Sequence, residues 1–139
     1  MAGERVVDAS VVAAALFPEA LTTQARHFLL GTPALVAPDH LFAEVASVAA
    51  KKVWSGETTR EIGARACRAL RQIVPETVPS ATLAARAFEL AALHRVSAYD
   101  GLYLALAEKR GVPVYTFDRK LAEKAVQAGL GELVEVPRL

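Results

Sequence analysis

Short apolar runs that end on a carboxylate or a proline alternate with longer stretches of helical periodicity, and this alternation is what most limits the fold. Arg5-Val6-Val7 stops at Asp8, Ala34-Leu35-Val36-Ala37 at Pro38, and Pro113-Val114-Tyr115-Thr116-Phe117 at Asp118. Glu76-Thr77-Val78 and Leu133-Val134-Glu135-Val136 read as two further short strands. Between them the spacing predicts helices over Ala9 to Phe17, Glu19 to Leu30, a stretch capped by Asp39 and ending near Trp54, Glu57 to Ile73, a stretch capped by Ser80 through His94, one capped by Ser97 through Arg110, and Arg119 to Ala128. Pro18, Gly31, Ser55-Gly56, Pro75, Gly111 and Gly129 supply the stops. Short apolar strands interleaved with helices predict an α/β fold, a mostly parallel central sheet flanked by helices in an α/β/α arrangement. At 139 residues, with no internal repeat, low-complexity segment or long linker, the chain reads as one domain over residues 1–139.

Sixteen basic residues against fifteen acidic give a net charge of +1, so any nucleic-acid binding must come from a local patch. Cys67 is the only cysteine, which excludes an intrachain disulfide and a Cys-rich zinc site and fits a reducing cytoplasm. His27, His40 and His94 show no ligand-like spacing and are given no catalytic role. The charged start and the short apolar run after it are too short for a signal peptide or a membrane span. Charge interrupts the other apolar runs, so a cytoplasmic protein with no membrane partner is expected.

Within this frame four acids stand in apolar surroundings: Asp8, Glu44, Asp100 and Asp118. A carboxylate is costly to bury unless something positive meets it, and no basic residue stands at a matching place beside each of them. In open α/β sheets ligands bind beyond the carboxyl ends of the strands. Asp8 and Asp118 each follow a strand directly, and Glu44 lies in the second turn of the helix leaving the second strand. Asp100 begins a helix whose far end feeds the 113–117 strand, so its start returns to the same edge. Leu41, Val45 and Val48 form an apolar stripe at i, i+4, i+7, and Glu44 lies beside it rather than opposite. All four acids therefore converge on one edge.

Clustered carboxylates should have raised pKa values when no metal is present. Oxygen ligands without Cys or a His pair suit Mg²⁺ or Mn²⁺ rather than Zn²⁺, and a metal so held supports phosphodiester hydrolysis. Ser10 and Thr116, each two residues from an acid, have hydroxyls able to steer a carboxylate or a water. Each acid also has a plain structural reading. Asp8 or Ser10 can cap the first helix, Ser97-x-x-Asp100 fits a capping box, Asp118 can cap the last helix, and Glu44 can reach out to solvent.

The stretch Val6-Val7-Asp8-Ala9-Ser10-Val11 resembles the opening of PIN-domain proteins. PDHLFAEVA over 38–46, SAYDGLYLALAE over 97–108, and Thr116-Phe117-Asp118-Arg119-Lys120-Leu121 are similar to their second, third and fourth blocks, in order and across nearly the whole chain. Among PIN domains the chain most resembles the VapC toxins of bacterial and archaeal toxin–antitoxin pairs. The resemblance implies a Mg²⁺-dependent endoribonuclease, a homodimer, and inhibition by a VapB-type antitoxin. Carried over by position, Asp8 and Asp100 are the main metal ligands, with Glu44 and Asp118 completing the pocket. A PIN-fold RNA-processing nuclease outside a toxin–antitoxin pair and a non-catalytic α/β binding module are the alternatives. Haloacid dehalogenase-like phosphatases need a second Asp where this chain has Ser10, and the residue set of a receiver domain is not evident.

Other residues carry two readings each. Arg60, Arg65, Arg68 and Arg71 share one predicted helix, either as a solvated face or as a phosphate-binding or antitoxin-facing patch. Arg119, next to Asp118, is a candidate RNA contact. Tyr99, Tyr103 and Phe88 read as core or dimer contacts, Trp54 as a groove or core residue, and Cys67 as a buried small residue.

Overall fold

The structure is a computed structural model, and it describes residues 3–136. Residues 1–2 and 137–139 of the single domain expected over 1–139 lie outside that description. Five strands, β1 (Glu4–Val7), β2 (Ala34–Pro38), β3 (Glu76–Val78), β4 (Val114–Tyr115) and β5 (Val134–Glu135), form one sheet in the order β3-β2-β1-β4-β5. Every neighbouring pair is parallel. Seven helices connect them: α1 (Ala9–Leu16), α2 (Thr22–Gly31), α3 (Leu41–Trp54), α4 (Arg60–Ile73), α5 (Ser80–His94), α6 (Ala98–Arg110) and α7 (Arg119–Gln127). A single 3₁₀ turn at Gly131–Leu133 precedes β5.

The central strands β1, β2 and β4 are largely buried, the edge strands β3 and β5 less so, and successive residues feed opposite sides of the sheet. Val6, Val36 and Val114 pack with Leu83, Leu90 and Leu104 from α5 and α6, and with Leu121 of α7. Val7, Ala37 and Tyr115 pack with Val11, Leu41, Val45 and Leu70 from α1, α3 and α4. Two apolar layers thus sandwich the sheet, as the sequence alternation predicts.

Parallel register aligns Val6 with both Val36 and Val114, and Val7 with Tyr115. Strand order reverses its direction of growth between β1 and β4, since β2 and β3 extend one way from β1 while β4 and β5 extend the other. Such a reversal opens a crevice at the carboxyl ends of the two strands. Asp8 and Thr116 are the residues that emerge there.

The helix packing that frames this crevice includes one obligatory glycine. A Cβ on Gly101 would sit 2.6 Å from the Ala87 carbonyl oxygen, so only glycine lets α6 lie this close to α5 immediately after Asp100. Gly111 then closes α6 with φ of 67°, in the left-handed region expected of that stop.

Several expected boundaries move. Asp39 does not cap α3: His40 occupies that position with no side-chain cap, and the Asp39 carboxylate accepts instead from the Ser80 backbone N–H at 2.9 Å. Ser80 is correspondingly the first residue of α5 rather than its cap. The second helix begins at Thr22, because Thr22 Oγ1 accepts from the Glu19 N–H and donates to the Ala14 carbonyl, tying residues 19–22 into a turn. The fourth helix begins at Arg60, where Thr59 rather than an upstream residue supplies the cap. The 113–117 strand contracts to Val114–Tyr115, although the Thr116 N–H still bonds the Glu135 carbonyl. Phe88 and Tyr99 are exposed and so are not core residues, Trp54 is exposed, and Cys67 is half-buried.

Candidate active site

Asp8 ends β1 and caps α1, and its carboxylate is held on both oxygens. Oδ1 accepts from the Ser10 N–H at 3.1 Å, the Val11 N–H at 3.4 Å and the Ser10 hydroxyl, and Oδ2 accepts from the Thr116 hydroxyl. The two hydroxyls then bind the strand end opposite. Ser10 Oγ accepts from the Phe117 N–H at 3.0 Å, and Thr116 Oγ1 accepts from the Asp118 N–H at 2.9 Å. Ser10 and Thr116 therefore stitch the ends of β1 and β4 together through Asp8. They fix its rotamer and leave it almost wholly buried. Asp118 in turn caps α7, accepting from the Lys120 and Leu121 N–H groups, with its side chain at the surface.

Glu44 reaches the same edge from α3. Its Oε1 accepts a 2.7 Å bond from the Tyr103 hydroxyl on α6, and His40 Nε2 lies 3.2 Å from the same oxygen. His40 and Glu44 stand four residues apart, and their close approach is an ion pair whenever the imidazole is protonated. The His40 ring packs against Tyr103, with centroids 4.7 Å apart. Asp100 sits in the first turn of α6, where Ser97 Oγ accepts from its N–H at 3.0 Å, as the capping pattern predicts.

The electrostatics of the four acids divide. Burial pushes the Asp8 carboxyl up to about 6, against the lowering effect of the Ser10, Thr116 and Val11 bonds, and Glu44 adds to the rise. Burial also raises Asp100, reinforced by the Asp118 and Glu44 charges and opposed by Ser97 and Lys124. Glu44 departs from the expectation. Burial works to raise it, but His40 and the Tyr103 hydroxyl outweigh that, and its carboxyl lies below its usual value. Tyr103 is shifted the other way, its phenol held far above the usual range by burial and then by Glu44, so it remains a donor.

Helix capping involves Asp8 and Asp118 directly, and Asp100 through its own capped first turn. Asp8 and Glu44 feel one another's charge, as do Asp100 and Asp118, and Asp100 and Glu44. Among the described residues no three His, Cys, Asp or Glu side chains are drawn close enough to hold a metal ion between them. The donor set is nonetheless that of a hard cation: carboxylate oxygens with flanking hydroxyls and no thiolate. Glu44 Oε2 accepts no hydrogen bond among the described residues, Asp8 Oδ2 accepts only one, and the Asp100 carboxylate is half-buried beside Ser97. These are the atoms available to a divalent ion.

Arg119 is exposed beside Asp118 and in no ion pair among the described residues. Arg60, Arg65, Arg68 and Arg71 are exposed on α4 and likewise unpaired there, and the first three line one surface trench. Sequence reasoning missed Tyr103 and His40. Helical spacing held the signal, since His40 is four residues before Glu44 and Tyr103 three after Asp100, on the faces that carry those acids.

A sheet of this order, with carboxylates gathered at the switch between its central strands, defines a class of small α/β proteins with an acidic edge. The PIN domain profile matches residues 5–127, and the chain belongs to the PIN-domain family. It is similar to ribonuclease VapC3 of Pyrobaculum aerophilum, at 35% identity over 121 residues covering 86% of this chain and 92% of that protein. Ribonuclease VapC1 of Mycobacterium tuberculosis is likewise 35% identical, over 120 residues covering 86% of this chain and 89% of its own. Solved structures share the fold. Mycobacterium tuberculosis VapC20, described as a toxin cleaving the sarcin–ricin loop, superposes with a TM-score of 0.70 at 21% identity, over 85% of this chain and 92% of that one. PAE2754 of Pyrobaculum aerophilum gives 0.74 at 19% identity, over 98% and 92%.

Proposed function

We propose that this protein is a Mg²⁺-dependent endoribonuclease, with Mn²⁺ able to substitute, that acts as the toxin of a toxin–antitoxin pair. It would hydrolyse RNA phosphodiester bonds at Asp8, Glu44, Asp100 and Asp118. The observation that carries this reading is Asp8: a buried carboxylate held rigidly by hydroxyls and amides at the β1/β4 switch, with no cation paired to it among the described residues. Relatives named ribonuclease VapC across most of the chain support the reaction class and the toxin role.

In this reading Asp8 and Asp100 hold the divalent ion, and Glu44 and Asp118 complete the acidic pocket. When bound, the ion supplies neutralisation of phosphate charge and activation of water. The protein's own contribution is arrangement. Ser10 and Thr116 keep the Asp8 carboxylate from rotating, the α7 N-terminus orients Asp118, and Ser97 sets the first turn that presents Asp100. Arg119 contacts the RNA backbone next to the acids. A VapB-type antitoxin and a second copy of the chain are the proposed protein partners, and the cytoplasm the proposed compartment. Among the described residues no helix is long and apolar enough to cross a membrane.

The test is cleavage of total cellular RNA with mapped 5′ ends, with and without Mg²⁺, beside an Asp8→Asn control. Discrete Mg²⁺-dependent ends that vanish in the variant are expected. Undiminished cleavage by pure, chelator-treated Asp8→Asn protein would overturn the reading.

A further inference from the structure

Glu44 differs from the other three acids in how it is held. The Asp8 and Asp118 carboxylates are fixed by groups within three residues or on the adjoining strand end, and the Asp100 backbone by the Ser97 cap of its own helix. Glu44 stands in mid-turn on α3, half-exposed, with a long side chain that has several rotamers to choose from. Its only hydrogen bond among the described residues comes from Tyr103, 59 positions away. That tyrosine is 2% exposed and cannot swing aside, because its ring lies in the core with Leu104 and Leu106. The His40 ring closes the other side, 3.2 Å from the same oxygen and tilted against the Tyr103 ring.

From this geometry we infer that Tyr103 is a positioning residue that selects one rotamer of Glu44, occupying Oε1 and leaving Oε2 as the oxygen offered to a cation or to substrate. His40 serves as the wall that keeps the carboxylate against the phenol. A buried phenol whose hydroxyl has no other acceptor among the described residues has a strong reason to hold this bond, since breaking it leaves a polar group unsatisfied in the core. Groups that orient a metal-ligating carboxylate in this way typically change metal affinity by about 10- to 100-fold when removed. The inference rests on the carboxylate site proposed above, but its own content, the fixing of Glu44, is independent of what that site binds.

Tyr103→Phe keeps the ring and removes only the hydroxyl, so packing survives. Two measurements at one fixed pH separate the outcomes. In the first, ¹³C spectra of the metal-free protein follow the Glu44 side-chain carboxyl, assigned by its disappearance in Glu44→Gln. The wild type should show a resonance displaced from those of the exposed glutamates, and Tyr103→Phe should move it toward theirs. In the second, calorimetry follows Mn²⁺ binding to RNA-free protein. Tyr103→Phe should weaken it about tenfold in the wild-type background and not at all on Glu44→Ala. An unmoved Glu44 resonance, or an equal loss of Mn²⁺ affinity in both backgrounds, would overturn the positioning role. A moved resonance in a protein that binds no Mn²⁺ would uphold it and refute the metal site instead.

Discussion

The two ends of β1 carry one buried carboxylate each, and they are treated oppositely. At the amino end, Glu4 is met by the Arg110 guanidinium at 3.1 Å, and the same guanidinium reaches Glu76 at 2.9 Å. At the carboxyl end, Asp8 is slightly more buried than Glu4 and meets hydroxyls, amides and the field of another acid. Glu4 is what a structural buried carboxylate looks like in this fold: charge answered by charge. Asp8 has its geometry fully determined and its charge left unanswered. Rigid placement without neutralisation is what a site awaiting a positive ligand requires, and the chain spends its arginines elsewhere.

The sharpest way to break this contrast is to convert each carboxylate to its amide in metal-free protein. Asp8→Asn should stabilise the fold near pH 7 by up to about 3 kcal/mol, the linkage value of a carboxyl raised from 3.8 to about 6. The sign follows from the direction of the shift. A raised acid favours the folded state fully while protonated, below its unfolded value, and that contribution is lost as pH rises through about 6. Wild-type stability in chelator should therefore fall between about pH 4 and 7 relative to Asp8→Asn, as urea midpoints across that range would show. Parallel curves would mean that Asp8 is answered by something other than a ligand.

Glu4→Gln should have the opposite sign. It removes the charge-assisted partner of Arg110 and should cost on the order of 1–2 kcal/mol, discounted because Arg110 is 30% exposed. A Glu4→Gln protein as stable as wild type in thermal melts would remove the reference against which Asp8 looks unusual. The smallest expected effect is at Arg119. Arg119→Gln in an Asp8→Asn background should weaken single-stranded RNA binding modestly and reduce the slope of log affinity against log salt by about 0.7. An unchanged slope would leave Arg119 as a solvated residue.

The parts of this arrangement written in local sequence were readable, and the parts made by distant contacts were not. Val6-Val7-Asp8 and the run ending at Asp118 announce strands that finish on acids, and register alone then puts Asp8 and Thr116 side by side. Ser97 declares its cap within three residues. Asp39 looks like the same signal, yet its acceptor goes to Ser80, 41 residues on, because β2 and β3 pair and bring the start of α5 to it. Glu44 was expected to share the raised pKa of its neighbours, but Tyr103 and His40 reverse its shift. Those two residues read singly as a core aromatic and an idle histidine. Only the meeting of side chains from α3 and α6 at the carboxyl edge of the sheet turns them toward an acid. The contracted β4 belongs to the same class, since the backbone beyond Tyr115 leaves the strand to place two N–H groups on the Ser10 and Thr116 hydroxyls.

The account turns on whether the unanswered carboxylates of the carboxyl edge are a cation site. Titration of Mn²⁺ into chelator-stripped, RNA-free protein measures this directly, with Asp8→Asn titrated beside it. Saturable binding at millimolar metal or below, abolished or greatly weakened in the variant, is the predicted result. No binding by the wild type at millimolar Mn²⁺, or equal binding by both proteins, would contradict it.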